Sequence, residues 1–103
     1  MQFDVHPNPV PAARRAYPYV VVLQSSLADA GRQRIVAPLV PRSALKTSTG
    51  RLVPAVRVQG EDYAVLVPSL AAVAARDLAA PVESAVYARS ELLAALDLLF
   101  FGV

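Results

Sequence analysis

The segment from Ser84 to Phe101 carries a helical repeat of apolar residues, and the chain before it reads as short β-type runs broken by turns. That order leaves few arrangements. The strands must build a sheet, and one helix must bury its apolar stripe against it. At about 100° per residue, Leu92, Leu93, Leu96, Leu99 and Phe100 share one sector of roughly 120°, the width of a core-facing stripe. Phe101 falls on the opposite, polar side with Asp97 and Ser90. The wheel therefore assigns Phe100 to the core and Phe101 to an outward face. There Phe101 packs on a loop or a second subunit, or grips something else. Arg89 intrudes on the apolar sector near the helix start, where its stem can lie along the stripe with its charge in water. Ser84 is the expected N-cap, with Tyr87 rather than Glu at the box position. Gly102 stands where helices stop. An end made of Phe101-Gly102-Val103, in place of a polar tail, is either buried or used as a grip.

The β-type runs can be placed in turn. Gln2 to His6 alternates and reads as a strand with Phe3 and Val5 inward. Pro7, Pro9 and Pro11 then exclude an inner strand and predict an extended, exposed loop ending at Arg14 and Arg15. Tyr19 to Gln24 is rich in β-branched residues and reads as a strand buried on both faces. Ser25 to Gly31 is a turn region. Arg34 to Val40 is the next strand, with Pro38 placing it at an edge or a bulge. Ser43 to Lys46 fits one helical turn, and Thr47 to Gly50 a loop. Leu52 to Val58 and Tyr63 to Val67 form a hairpin around Gln59-Gly60-Glu61-Asp62, with Gly60 supplying a positive φ. Residues 69–80 are alanine-rich and fit a short helix or a strand equally well. The expectation is a single α+β domain over residues 1–103: four or five antiparallel strands in a small barrel-like sheet with a C-terminal helix across it.

Composition narrows the chemistry. Hydrophobic residues make up 55% and charged residues 17%, more apolar material than a small monomer needs, and a homodimer would absorb the surplus. The absence of cysteine excludes disulfides, thiolate metal sites and cysteine catalysis. The chain lacks a signal-peptide pattern and any stretch of the ~18 apolar residues that a membrane span requires. A cytoplasmic protein with no membrane partner is expected. The basic residues concentrate in 1–51, with seven Lys/Arg against two Asp, while 52–103 holds three Arg against six Asp/Glu. The basic half suits an acidic partner or is a solvated face. It has no dense basic run with interleaved aromatics, so direct nucleic-acid binding is weakly supported.

The catalytic inventory is thin. His6 is the lone histidine, at a strand end, and reads as structural or solvent-exposed. It has no second histidine or cysteine with which to complete a metal site. Ser25, Ser26, Ser43 and Ser48 lie in loops outside any nucleophile-elbow context. The four glycines are too far apart to cradle a phosphate. Glu61-Asp62 reads as turn chemistry. Arg76-Asp77 reads as a surface pair, or as the acid and cation of a metal-independent ribonuclease acting on a scissile phosphate. No enzyme, cofactor or metal is required.

Five pieces in order carry a resemblance over the whole chain. They are Met1-Gln2-Phe3-x-Val5; Tyr17 with the strand ending Leu23-Gln24-Ser25; Asp29-x-Gly31-Arg32 followed by Val36-x-Pro38-Leu39; Leu52-x-Pro54-x-Val56-x-Val58 with Gly60-Glu61-x-Tyr63; and Leu99-Phe100-Phe101-Gly102-Val103. In this order the chain resembles the CcdB family of toxins from type II toxin–antitoxin modules. The resemblance implies an SH3-like barrel core, shared with PemK/MazF-type ribonuclease toxins, and a symmetric homodimer. It implies a non-enzymatic toxin that binds the A subunit of DNA gyrase and traps the cleaved-DNA complex. It also implies a CcdA-type antitoxin whose acidic segment wraps and neutralises the toxin, with DNA contacted only through the antitoxin in operon repression. The family grips gyrase through a helix ending Trp-Gly-Ile. By position these residues are Phe101, Gly102 and Val103, and an asparagine one turn earlier is Asp97. The family's tryptophan is understood to stack on an arginine of gyrase, and phenylalanine stacks on a guanidinium more weakly. Two other readings follow: a non-toxic or retargeted relative that keeps antitoxin binding, and an endoribonuclease toxin on the same fold.

Overall fold

The computed structural model describes residues 1–27, 31–45 and 50–102. Among the described residues, seven strands form one antiparallel sheet: β1 Asp4–Pro7, β2 Tyr19–Val22, β3 Gln33–Pro41, β4 Ala55–Val58, β5 Glu61–Val65, β6 Ala71–Ala74 and β7 Glu83–Ser84. The helix α1 spans Arg89–Phe101. The neighbour order is β4-β5-β3-β2-β1-β7, with β6 added on β3. This is the expected α+β, SH3-like arrangement, with β6 and β7 in addition to the strands read from the sequence. β6 settles the ambiguous alanine-rich stretch as strand, followed by a 3-10 turn over Ala75–Asp77.

The longest strand, β3, holds the sheet together. One edge pairs with β2 over Val36 to Leu39, from Val22↔Val36 to Tyr19↔Leu39. The other edge pairs first with β6, over Gln33 to Val36, and then with β5, over Leu39 to Pro41. Pro38 therefore lies inside a central strand, not at an edge. Its carbonyl accepts from Leu66 N–H at 2.9 Å, so its nitrogen also faces the edge where the partner changes from β6 to β5. A missing N–H costs least at such a gap.

Two apolar layers result. Phe3, Val5, Val21, Leu39, Val65 and Leu92 are among the fully buried residues between the curved sheet and α1. On the outer face, Val20, Val22 and Val36 pack with Val73 and Leu78, supplied by β6 and the chain after it. That strap is why β2 is buried on both faces. His6 belongs to it: its side chain is buried, and Nδ1–H donates to the Ala79 carbonyl at 2.7 Å. The histidine is thus a clamp within β1 rather than an exposed residue at a strand end.

The proline segment is more structured than an extended loop. Pro11–Ala13 forms a 3-10 turn, and Asn8 is buried at its base. Asn8 Nδ2 donates to Tyr17 O at 2.8 Å, and Val10 N–H donates to Asn8 Oδ1 at 2.9 Å. Arg14 Nε donates to the Asn8 carbonyl at 2.6 Å. The β4–β5 connection is the two-residue turn Gln59-Gly60, with φ of 51° and 84°, as a tight hairpin of right-handed twist demands. Glu61 and Asp62 accordingly begin β5 instead of lying in the turn, and Asp62 pairs with Arg57 across the strands at 3.1 Å. A 3-10 turn occupies Arg42–Ala44, one residue earlier than expected. The expectations for Asp29, Lys46, Thr47, Ser48, Thr49 and Val103 lie outside the described residues.

The ends of the strand path are brought together by side chains. Gln59 N–H donates to Glu83 Oε1 at 2.8 Å. Arg57 N–H donates to Tyr87 Oη at 2.7 Å, and that hydroxyl donates back to Arg57 O at 3.1 Å. The sheet is in this way nearly closed into a barrel.

Candidate functional site

The helix end is built by anchoring one face and leaving the last turn free. Ser84 pairs with Asp4 in β7, and its Oγ accepts from Val86 N–H at 3.2 Å. This bond leads into a 3-10 turn over Val86–Ala88 with Ala85 at its N-cap, and the helix begins only at Arg89, so Ser84 does not cap it. Leu92 and Ala95 are fully buried, and Leu93, Leu96 and Leu99 pack partly on the same core. Gly102 ends the helix at φ 73°, its N–H bonded to Leu98 O at 3.1 Å. A left-handed residue is needed there, and glycine adopts it without a Cβ clash.

Burial fades along the stripe toward the C-terminal end. Phe100, assigned by the wheel to the core, is 62% exposed, and Phe101 is 77% exposed. The wheel places a residue around the helix axis but contains nothing about where the sheet beneath it ends. Phe100 sits at the rim of the apolar sector, in the last turn, beyond the packing that covers Leu92 and Ala95. The outward placement of Phe101 holds, and Asp97 lies exposed one turn before it. The structure thus brings Asp97, Phe101 and Gly102 together at one exposed tip and adds Phe100 beside them. Two exposed aromatics in the last turn, aimed in different directions, are surfaces fit to meet partners.

A groove of about 470 Å³ runs beside the helix, bounded by Tyr87, Glu91 and Ala94 on one wall and Arg51, Pro54 and Ala55 on the other. Tyr87, Glu91 and Ala94 follow one stripe of the helical repeat, and that stripe continues through Leu98 to Phe101. Tyr87 closes the barrel and shapes this groove, a role the sequence reading did not assign. An aromatic at the box position, where Glu was wanted, was the available signal.

The other candidates are dispersed. Arg76 and Asp77 are exposed and approach only to 4.0 Å, with neither group enclosed. Among the described residues, no cluster of three or more His, Asp or Glu side chains is placed to hold a metal. No described helix is long and apolar enough to cross a membrane. Among the described residues, Tyr63 departs clearly from its ordinary value. Its hydroxyl is pushed up by burial first, then by the Glu61 carboxylate that accepts its hydrogen bond at 3.4 Å and by Tyr19.

Fold and site together define a small β-barrel that presents an exposed aromatic helix end. The comparison with protein families is specific: the family model described as CcdB protein matches residues 2–102. The chain belongs to the CcdB family, which places it among the toxins of toxin–antitoxin modules. No curated protein sequence matches it significantly.

Proposed function

We propose that this chain is a cytoplasmic, non-enzymatic toxin that binds the A subunit of DNA gyrase and traps the cleaved-DNA complex. It acts as a homodimer, is held inactive by a CcdA-type antitoxin, and meets DNA only through that partner. The grip is Phe101, Gly102 and Val103, flanked by Asp97. The observation that carries this reading is the 77% exposure of Phe101 on a helix whose other face is locked by Leu92 and Ala95. An exposed ring on an immobilised helix loses little entropy on binding.

The test is expression without antitoxin, scored by growth and by gyrase supercoiling. The parent chain should arrest growth. Deleting Gly102 and Val103, or Phe101→Ala, should restore it while the circular dichroism spectrum stays native. A folded truncation that still arrests growth would overturn the reading. The phenylalanine in place of the family's tryptophan, together with Asp97, favours a second reading. In it the chain keeps antitoxin binding but has lost gyrase or exchanged it for another topoisomerase. Unimpaired growth with intact supercoiling would select that alternative.

A further inference from the structure

The groove between α1 and the chain leading into β4 is lined mainly by small apolar surfaces. Pro54 and Ala88 are buried, and Ala55 and Ala94 present exposed methyl groups. Tyr87 adds an exposed ring, held in place because its hydroxyl is tied to both main-chain groups of Arg57. Two charged side chains complete the lining, Arg51 on one wall and Glu91 on the other. The volume, about 470 Å³, falls within the range of small-molecule sites, roughly 300–1,000 Å³.

The two charges are unmatched. Among the described residues, Arg51 has no carboxylate and Glu91 no cation within ion-pair distance, and neither side chain makes a hydrogen bond. They do not reach each other across the groove either. Two other grooves differ in this respect. Beside Met1 and Arg89, the lining carboxylate is Asp4, which already pairs with the N-terminal amine at 3.5 Å. Beside Arg32 and Arg76, the lining contains no acidic residue.

Opposite free charges on facing walls, with an apolar bed between them, match a zwitterion with an apolar body. A lone cation would meet Glu91 but be repelled by Arg51, and a lone anion the reverse. We infer that this groove binds a free aromatic α-amino acid. Its carboxylate pairs with the Arg51 guanidinium, which is shaped for two parallel bonds to such a group. Its ammonium pairs with Glu91, and its ring lies against Tyr87 and the alanine methyls. The anchored Tyr87 ring favours an aromatic body over an aliphatic one. The inference is independent of what the helix end grips.

The test is a titration of the isotope-labelled full chain with L-phenylalanine, its N-acetyl derivative and its amide. L-phenylalanine at millimolar concentration should give saturable shifts in the amide signals of Ala55, Ala88, Glu91 and Ala94. The N-acetyl form lacks the ammonium and the amide lacks the carboxylate, and each should bind about fivefold more weakly. Charge-matched variants separate the two contacts. Arg51→Gln should weaken phenylalanine about fivefold but not weaken the amide, which has no carboxylate to lose. Glu91→Gln should weaken phenylalanine about fivefold but not weaken the N-acetyl form. Both residues are exposed, so the circular dichroism spectrum should stay native in either variant. Any one of four results would overturn the inference. These are no saturable shift at tens of millimolar phenylalanine, equal affinity for the three compounds, a variant that weakens all three alike, and tighter binding of N-acetyl phenylalanine amide. That last compound carries neither charge, and its preference would assign the groove to an internal peptide segment.

Discussion

At the scale of single residues, sequence alternation located the inner core well, because a period of two leaves no choice of face once one side is buried. Phe3 and Val5 are inward as expected, at 1% and 0% exposure. Phe3 nevertheless sits at φ 67°, a conformation that costs a non-glycine residue about 1–2 kcal/mol. Its buried ring and the two backbone bonds it makes, to Val22 O and from Ala85 N–H, hold it there. No local pattern announces such a residue, since the compensation comes from β2 and from Ala85, just past β7. Phe101 is a sharper case, since its exposure frees the position from packing demands. Phe101→Trp should leave the melting temperature unchanged and tighten binding to the target. The gain should be up to about tenfold, because tryptophan is the stronger cation–π partner by about 1 kcal/mol. Titration calorimetry against the proposed target, the gyrase A subunit, checks this. Tyr63 carries a pH prediction. Burial and Glu61 raise its hydroxyl above the usual tyrosine value of 10.0, so the unfolded chain releases the proton first as pH rises. Stability is then fully present below pH about 10 and falls as pH climbs toward the folded-state value. Urea unfolding across that range should show the decline, and Tyr63→Phe should flatten it.

At the scale of elements, what was legible is what local chemistry dictates. The β2 run, the hairpin with Gly60 and the helix stop at Gly102 each follow from residues within a few positions. What was not legible depends on partners distant in sequence. Pro38 looked like an edge residue because a lone strand cannot show that its neighbour changes at that point. Asn8 looked like loop because its partners, Tyr17 and Val10, appear only when the proline segment turns back on itself. The helix start moved from Ser84 to Arg89 because β7 claims Ser84 for pairing with Asp4. Tyr87 belongs to this group, as it joins the helix approach to β4. Tyr87→Phe keeps the ring but removes the hydroxyl that satisfies both main-chain groups of Arg57. The expected outcomes are a loss of about 1 kcal/mol and faster hydrogen exchange at the Arg57 amide, with exchange in β2 unchanged. Equal acceleration throughout the sheet would mean that Tyr87 acts on global stability, not on this edge.

At the scale of the whole molecule, the exposed apolar tip of the helix separates two duties. Phe100 sits at the rim of the stripe that α1 buries, whereas Phe101 points to the opposite side. A core-side ring left 62% exposed in the single chain is the natural place for a second copy to cover, and the high apolar content points the same way. In the proposed dimer Phe100 is an interface residue and Phe101 remains free for the target. The two positions then give opposite phenotypes. Sedimentation equilibrium should find the parent chain at twice its 10.9 kDa mass. Phe101→Ala should sediment as the dimer yet fail to arrest growth. Phe100→Ser should shift the equilibrium toward monomer and lower the melting temperature in a concentration-dependent way, because dissociation is coupled to unfolding. If Phe100→Ser left the mass unchanged, the surface joining two copies would have to lie elsewhere on the barrel. Phe100 would then join Phe101 as part of the grip, and toxicity would fall with either substitution.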